Sequence, residues 1–163
     1  MKLTIGLSES GIQSAIEALD KLQNEIKAKT PIVVKALVER GAELVEDKTS
    51  LIPDYDIPVT GSWDGGNKGS VEAGGEAVFA EFGTGVRYNG PAGQSPHPKG
   101  EEHGYLIGEY GLKQGRNPEG WNYTDASGNT VHTYGIPAQM FMYNTARELE
   151  EEAPEIAKKV FEA

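Results

Sequence analysis

Glu76-Ala77-Val78-Phe79-Ala80-Glu81-Phe82-Gly83-Thr84-Gly85 is the stretch on which the reading of the fold turns. Taken as extended chain, Val78, Ala80 and Phe82 share one face, and Phe79 and Glu81 share the other. Gly83-Thr84-Gly85 then stops the strand at once, so the pattern predicts a strand over 76–82 closed by a tight turn. The glycines do not make a phosphate loop, because the further glycine, the lysine and the helix start are missing. The stretch therefore reads as scaffold, and attention moves to surfaces that meet other proteins.

Glycine marks the layout on either side. Of 21 glycines, 18 lie between residues 51 and 140, as do 10 of the 13 aromatic residues, so the middle reads as strands and loops. Both flanks read as helix. A first helix is predicted from Ser10, an N-cap whose capping box is completed by Gln13. Ile12, Ile16, Leu19, Leu22 and Ile26 follow at spacings of 4, 3, 3 and 4, a narrow apolar seam suited to core packing or to a partner helix. Thr30-Pro31 predicts a second start, carrying Val33, Leu37, Leu44 and Val45 and ending near Lys48 or Thr49. The two make a hairpin or one kinked rod.

Strands are predicted over Thr60 to Asp64, Gly69 to Ala73 and Glu76 to Phe82, joined as a meander by Gly65-Gly66-Asn67 and Gly74-Gly75. Residues 86–118 are rich in Gly and Pro and read as a long loop. A second hairpin is predicted from Trp121–Thr124 to Thr130–Tyr134 around Asp125-Ala126-Ser127-Gly128-Asn129. The last helix is predicted over 137–162, with Pro154 as a kink or a new start. These elements predict one α+β domain over 1–163. Its parts are an N-terminal helical pair over 10–50, a small antiparallel β-sheet with long loops over 59–134, and a C-terminal helix packed on the sheet.

Composition narrows the functional classes. The net charge of −10 argues against general or sequence-specific nucleic-acid binding, which needs clustered Lys and Arg. The acidic excess lies in residues 51–140 and the last 23 residues, and suits solubility or a surface that faces DNA without holding it. No apolar run reaches the length of a membrane span, the first residues lack a signal-peptide core, and there is no cysteine. A chain made in a cytoplasm, with no membrane contact and no cofactor, is the expectation.

Enzymatic readings find little support. His97, His103 and His132 have no metal-ligand spacing and read as solvated loop histidines, so no metal site is expected. No serine lies in a nucleophile elbow, and cysteine is absent. Asp54, Asp56, Asp64, Glu81 and Glu109 among Trp63, Tyr110 and Trp121 permit a glycosidase pair, and Trp63 with Trp121 permit a carbohydrate-stacking module. No spacing demands either.

Three stretches in order resemble the tail-completion, or head–tail joining, proteins of long-tailed siphophages. Val59-Thr60-Gly61-Ser62-Trp63 is similar to the Thr-Gly that opens that family's sheet, and Glu81-Phe82-Gly83-Thr84 to its Glu-aromatic-Gly-Thr signature. Gly135-Ile136-Pro137-Ala138-Gln139-Met140-Phe141-Met142 is similar to its lead-in to the C-terminal helix, although here three residues separate Pro137 from Phe141. The resemblance spans roughly residues 10–160, with 86–118 variable. It implies a non-enzymatic virion component of the neck, assembled as a ring with itself and touching head-closure, tail-terminator or tail-tube proteins. A tail terminator or head-closure protein is the alternative within that class, and a cell-wall or carbohydrate-acting module the alternative outside it. The resemblance assigns Glu81, Phe82, Gly83 and Thr84 to the strand and its turn, and Phe141 and Met142 to anchoring the last helix. Trp63, Tyr110, Trp121, Tyr123 and Tyr134 are the expected interface aromatics.

Overall fold

A computed structural model describes residues 8–52, 55–85, 95–105, 120–125 and 127–163. The chain runs α1 (Glu9–Thr49), β1 (Val59–Trp63), β2 (Gly69–Ala73), α2 (Ala77–Phe82), β3 (Thr84–Gly85), β4 (Trp121–Thr124), β5 (Thr130–Thr133), β6 (Gly135–Ile136) and α3 (Phe141–Glu162). The class is α+β, as the sequence predicts. Most of the predicted 86–118 loop lies outside the described residues.

The predicted helical pair is one helix. Its N-cap is Ser8 rather than Ser10: the Ser8 hydroxyl accepts from Gly11 N at 3.2 Å, while Gln13 reaches Glu17 instead of the backbone. Thr30-Pro31 starts nothing, because α1 continues through Pro31 to Thr49. Proline removes one amide from the ladder, but Thr30 Oγ1 bonds back to Ile26 O at 2.7 Å, and the packed turns beyond keep the rod intact.

β1 and β2 form the predicted antiparallel hairpin, in register from Val59–Ala73 to Trp63–Gly69. It lies on α1 because two glycines let it. A Cβ on Gly61 would stand 3.0 Å from Val38 Cγ1, and one on Gly69 would run into Val38 Cγ2. The meander ends there. Residues 77–82 are helix, not strand, since the burial that decides the segment falls on Ala77, Ala80 and Glu81, spaced as one helical face. Six residues of mixed apolar pattern fit either period, and packing against the core selected the helix. Among the described residues the sheet is accordingly three two-stranded antiparallel pairs, β1–β2, β3–β6 and β4–β5. The β4–β5 hairpin and its turn fall where the sequence predicts, with Trp121 opposite Thr133 and Thr124 opposite Thr130.

The core gathers Val45, Ile52, Ile57, Ala77, Ala80, Ile136 and Phe141, with Val59, Val71 and Met142 packed against it. α3 starts at Phe141, four residues after the predicted Pro137, because the amides ahead of it are already engaged. Gln139 N donates to Ala80 O at 2.8 Å and Met140 N to Glu81 O at 3.2 Å, satisfying carbonyls at the end of α2. Met140 then turns the chain with φ 52 into the helix, which continues unbroken through Pro154.

α3 lies antiparallel on α1 rather than on the sheet. Lys48 meets Glu148 at 2.6 Å, Arg40 meets Glu152 at 2.7 Å, and Lys29 reaches the Phe161 carbonyl at 2.9 Å. Between these pairs Leu149 comes down on Gly41, where a Cβ would lie 3.3 Å from Leu149 Cδ2 and 3.1 Å from Val71 Cγ2. Gly41 is the point at which α1, α3 and the hairpin meet.

Arg40 holds the Glu152 carboxyl below its ordinary value, chiefly through their hydrogen bond, while Glu152 and Glu43 push the guanidinium upward. A carboxyl that binds its proton less readily when folded adds stability above the unfolded value of 4.5 and loses it as pH falls through the folded value. Glu152→Gln is therefore expected to lower the urea midpoint at pH 7. The gap to the parent should narrow as pH falls below 4.5, and should shrink in molar salt.

Candidate functional site

Six of the residues singled out by sequence, Glu81, Phe82, Gly83, Thr84, Phe141 and Met142, meet at one place, the junction of α2 with α3. Glu81 ends α2 only 6% exposed, and its carboxylate is an acceptor for three donors. Oε2 accepts from Met142 N at 2.8 Å, and Oε1 accepts from Tyr143 N at 2.9 Å. Those are the second and third amides of α3, the ones an N-cap side chain normally takes. Met140 occupies the N-cap position and makes no side-chain cap, so a carboxylate from 61 residues upstream in the case of Met142 does the work. The negative charge also faces the positive end of the helix dipole.

The third donor corrects the reading of His97 as a solvated loop histidine. The residue is 5% exposed, and Nε2 lies 2.8 Å from Glu81 Oε1. Lys99 N donates to Nδ1 at 3.0 Å, so the ring hydrogen sits on Nε2 and is given to Glu81. The Ser95 hydroxyl accepts from His97 N, and Gly100 N closes the turn on the His97 carbonyl. Phe82 packs on the His97 ring at 4.4 Å and stacks on Tyr105 at 4.3 Å, and Tyr143 meets the same imidazole edge-on at 5.4 Å. The sequence did carry a signal: Pro96 and Pro98 flank His97 and restrict the backbone of the turn. His103 and His132 are exposed, His132 bonding to Asn122 Oδ1 at 3.0 Å.

Gly83 and Thr84 complete the junction. Gly83 has φ 78 and ψ 159, a conformation open to glycine almost alone, and a Cβ there would stand 2.5 Å from Ala138 N. This backbone turn lets Thr84 pair with Ile136, whose amide also donates to Thr84 Oγ1 at 3.4 Å. Phe141 is 2% exposed in the core, and Met142 packs against that core from the first turn of α3. A shallow groove of about 400 Å³ runs past this junction between Ala77, Phe82, His97 and Tyr143, with largely apolar walls. Both Glu81 oxygens and both His97 nitrogens are engaged, so the pair latches the fold rather than presenting a group to a ligand.

Thr60 and Gly61 sit apart from this junction, on β1 over α1. The expected interface aromatics are scattered too. Trp63 is 38% exposed at the turn of the first hairpin, its indole N–H donating to Gly66 O at 2.8 Å. Tyr123 and Tyr134 belong to the second hairpin and border a cavity of about 780 Å³, with mixed polar and apolar walls, together with Tyr55, Asp56 and Glu76. Trp121 opens β4, and Tyr110 lies outside the described residues. Of the carboxylates weighed for hydrolysis, Asp64 accepts from Gly66 N and Lys68 N in its own turn, while Asp54 and Glu109 lie outside the described residues. Asp125 is likewise committed to its turn, where hydrogen bonds led by the Asn129 amide hold its carboxyl below the usual range. Among the described residues no cluster of three or more His, Asp or Glu is placed to hold a metal ion, and no helix is long and apolar enough to cross a membrane. No known family, curated protein or solved structure matches this chain.

Glu81→Ala is expected to cost about 2–4 kcal/mol in urea unfolding, since it strips the α3 amides and His97 of their acceptor. His97→Ala should cost about 1–3 kcal/mol, and the double variant should fall short of the sum by at least about 0.5 kcal/mol. Strict additivity would show that the two side chains do not act on each other. Gly83→Ala combines backbone strain with the collision at Ala138, so a loss of more than about 2 kcal/mol is expected in the same measurement.

Proposed function

We propose that this chain is a non-enzymatic structural protein of a long-tailed phage virion, acting at the neck in tail completion or head–tail joining. The observation that carries the reading is the meeting of two family-like stretches in one physical unit. Glu81 of Glu81-Phe82-Gly83-Thr84 accepts from the amide of Met142, in the lead-in to α3, so the two stretches require each other. The third stretch, Thr60-Gly61, supplies the bare backbone by which the hairpin reaches α1.

The partners are further copies of the chain in a ring, together with head-closure, tail-terminator or tail-tube proteins. A ring subunit offers two different surfaces that close on one another around an axis. The β1–β2 pair gives one a basis, because a two-stranded sheet leaves both outer edges with backbone groups suited to strand addition. The exposed Trp63 and Tyr134 give apolar anchors at two separate places. The acidic balance of the chain keeps such a ring from holding passing DNA.

Deletion of the gene from its phage is expected to leave DNA-filled heads and separate tails, seen by electron microscopy. Purified chain added to that lysate should restore joined, infectious particles, with gold label on the chain found at the neck. Normal particles from the deletion, or label confined to capsid shell or tail tip, would overturn the proposal.

A further inference from the structure

α3 covers only part of the helix it packs on. Its last residues meet α1 at Lys29, whose ammonium bonds the Phe161 carbonyl and lies 5.7 Å over the Phe161 ring. Residues 9–28 of α1 run on for about 30 Å at 1.5 Å per residue. Four of the five seam residues on this free length are exposed, Ile12 and Ile16 at 48% each, Leu19 at 52% and Ile26 at 45%, and Leu22 is half-buried. It is also the same face that α3 occupies farther along. From Leu22 and Ile26 the steps of three and four continue through Lys29, Val33, Leu37, Arg40, Leu44 and Lys48, and Lys29, Arg40 and Lys48 all bond α3.

The geometry points to a second copy of this chain as the occupant, its α1 lying antiparallel with the two-fold axis at Leu19. The seam is a palindrome about that residue, with spacings of 4, 3, 3 and 4. Antiparallel pairing on Leu19 sets Ile12 opposite Ile26 of the second copy and Ile16 opposite Leu22 of the second copy, so every layer is apolar. The same register brings Glu9 of each copy level with Lys29 of the other, which is where α3 stops. The incoming helix thus fills the free length and ends where the covered length begins. A parallel pair would drive each α1 into the space that the other's α3 already holds. Such an interface hides on the order of 1,000 Å² in total, at the lower end for specific association, so the dimer is a weak one.

This contact is isologous, independent of the neck reading, and different in kind from a ring contact. The full chain should be dimeric in sedimentation at about 100 μM and largely monomeric at about 1 μM. Leu19→Glu sets like charges across the axis at an exposed position of good helix propensity, and should weaken the dimer at least tenfold with unchanged helicity. The chain has no cysteine, so orientation can be read by oxidation. A mixture of Ile12→Cys and Ile26→Cys chains should cross-link to each other, and each alone should cross-link poorly. Self-linking of Ile12→Cys, or association untouched by Leu19→Glu, would overturn the pairing. A chain that stays monomeric at every concentration would also overturn it, including one whose seam instead takes up lipid vesicles or an added tail protein.

Discussion

The Glu81 carboxylate is the interaction on which the rest of the structure depends. A buried carboxylate without donors is costly, and the open N-terminus of a helix leaves amides in want of acceptors. Here each need is met by the other, with Oε1 and Oε2 taking Tyr143 N and Met142 N and His97 adding the third bond. The arrangement sets where α3 begins, because Met140 has no capping side chain of its own. It also sets the direction of α3, since the helix must leave the end of α2 and run back along α1. The turn at His97 is drawn in by the same carboxylate, so three segments far apart in sequence share one small charged centre.

α1 is the base on which that centre rests, and its two halves behave differently. Beyond Lys29 it carries α3 through Arg40 and Lys48, and the β1–β2 hairpin through the bare backbones of Gly61 and Gly69. Before Lys29 it carries neither, and it presents the apolar palindrome centred on Leu19. On the neck role proposed above, a subunit has to be held soluble and then joined to others, and one rod with a packed half and an open half suits both demands. The junction at Glu81 stays out of such contacts, being buried and saturated with hydrogen bonds.

Local chemistry was legible wherever it faced no competition. Asp64 and Asp125 cage their own turns with side-chain hydrogen bonds, so both hairpins fall where the sequence places them. The end of α1 at Thr49 was equally plain, with Pro53 soon after. Ser10 failed as a cap because Ser8 offers the same chemistry two residues earlier, and no local rule ranks the two. Pro31 failed as a start because the packing of α3 and the β1–β2 hairpin on the turns beyond it outweighs one lost amide bond. Residues 76–82 failed as a strand because they bury Ala77, Ala80 and Glu81 together, whereas the alternating pattern puts Ala80 and Glu81 on opposite faces. His97 was misread for the same reason: a polar side chain is buried only if a partner exists, and its partner lies 16 residues away.

By itself, the sequence determined the α+β class, the helical flanks, the two hairpins and the palindromic spacing of the α1 seam. These follow from residue periodicity, turn chemistry and composition, all of which act over a few residues. Only the tertiary structure decided that the seam is left mostly exposed, that α3 lies on α1, and that Glu81 faces inward to hold the N-terminus of α3. Each of these depends on which distant group arrives to satisfy a buried donor, acceptor or apolar face, and no short window of sequence contains both partners.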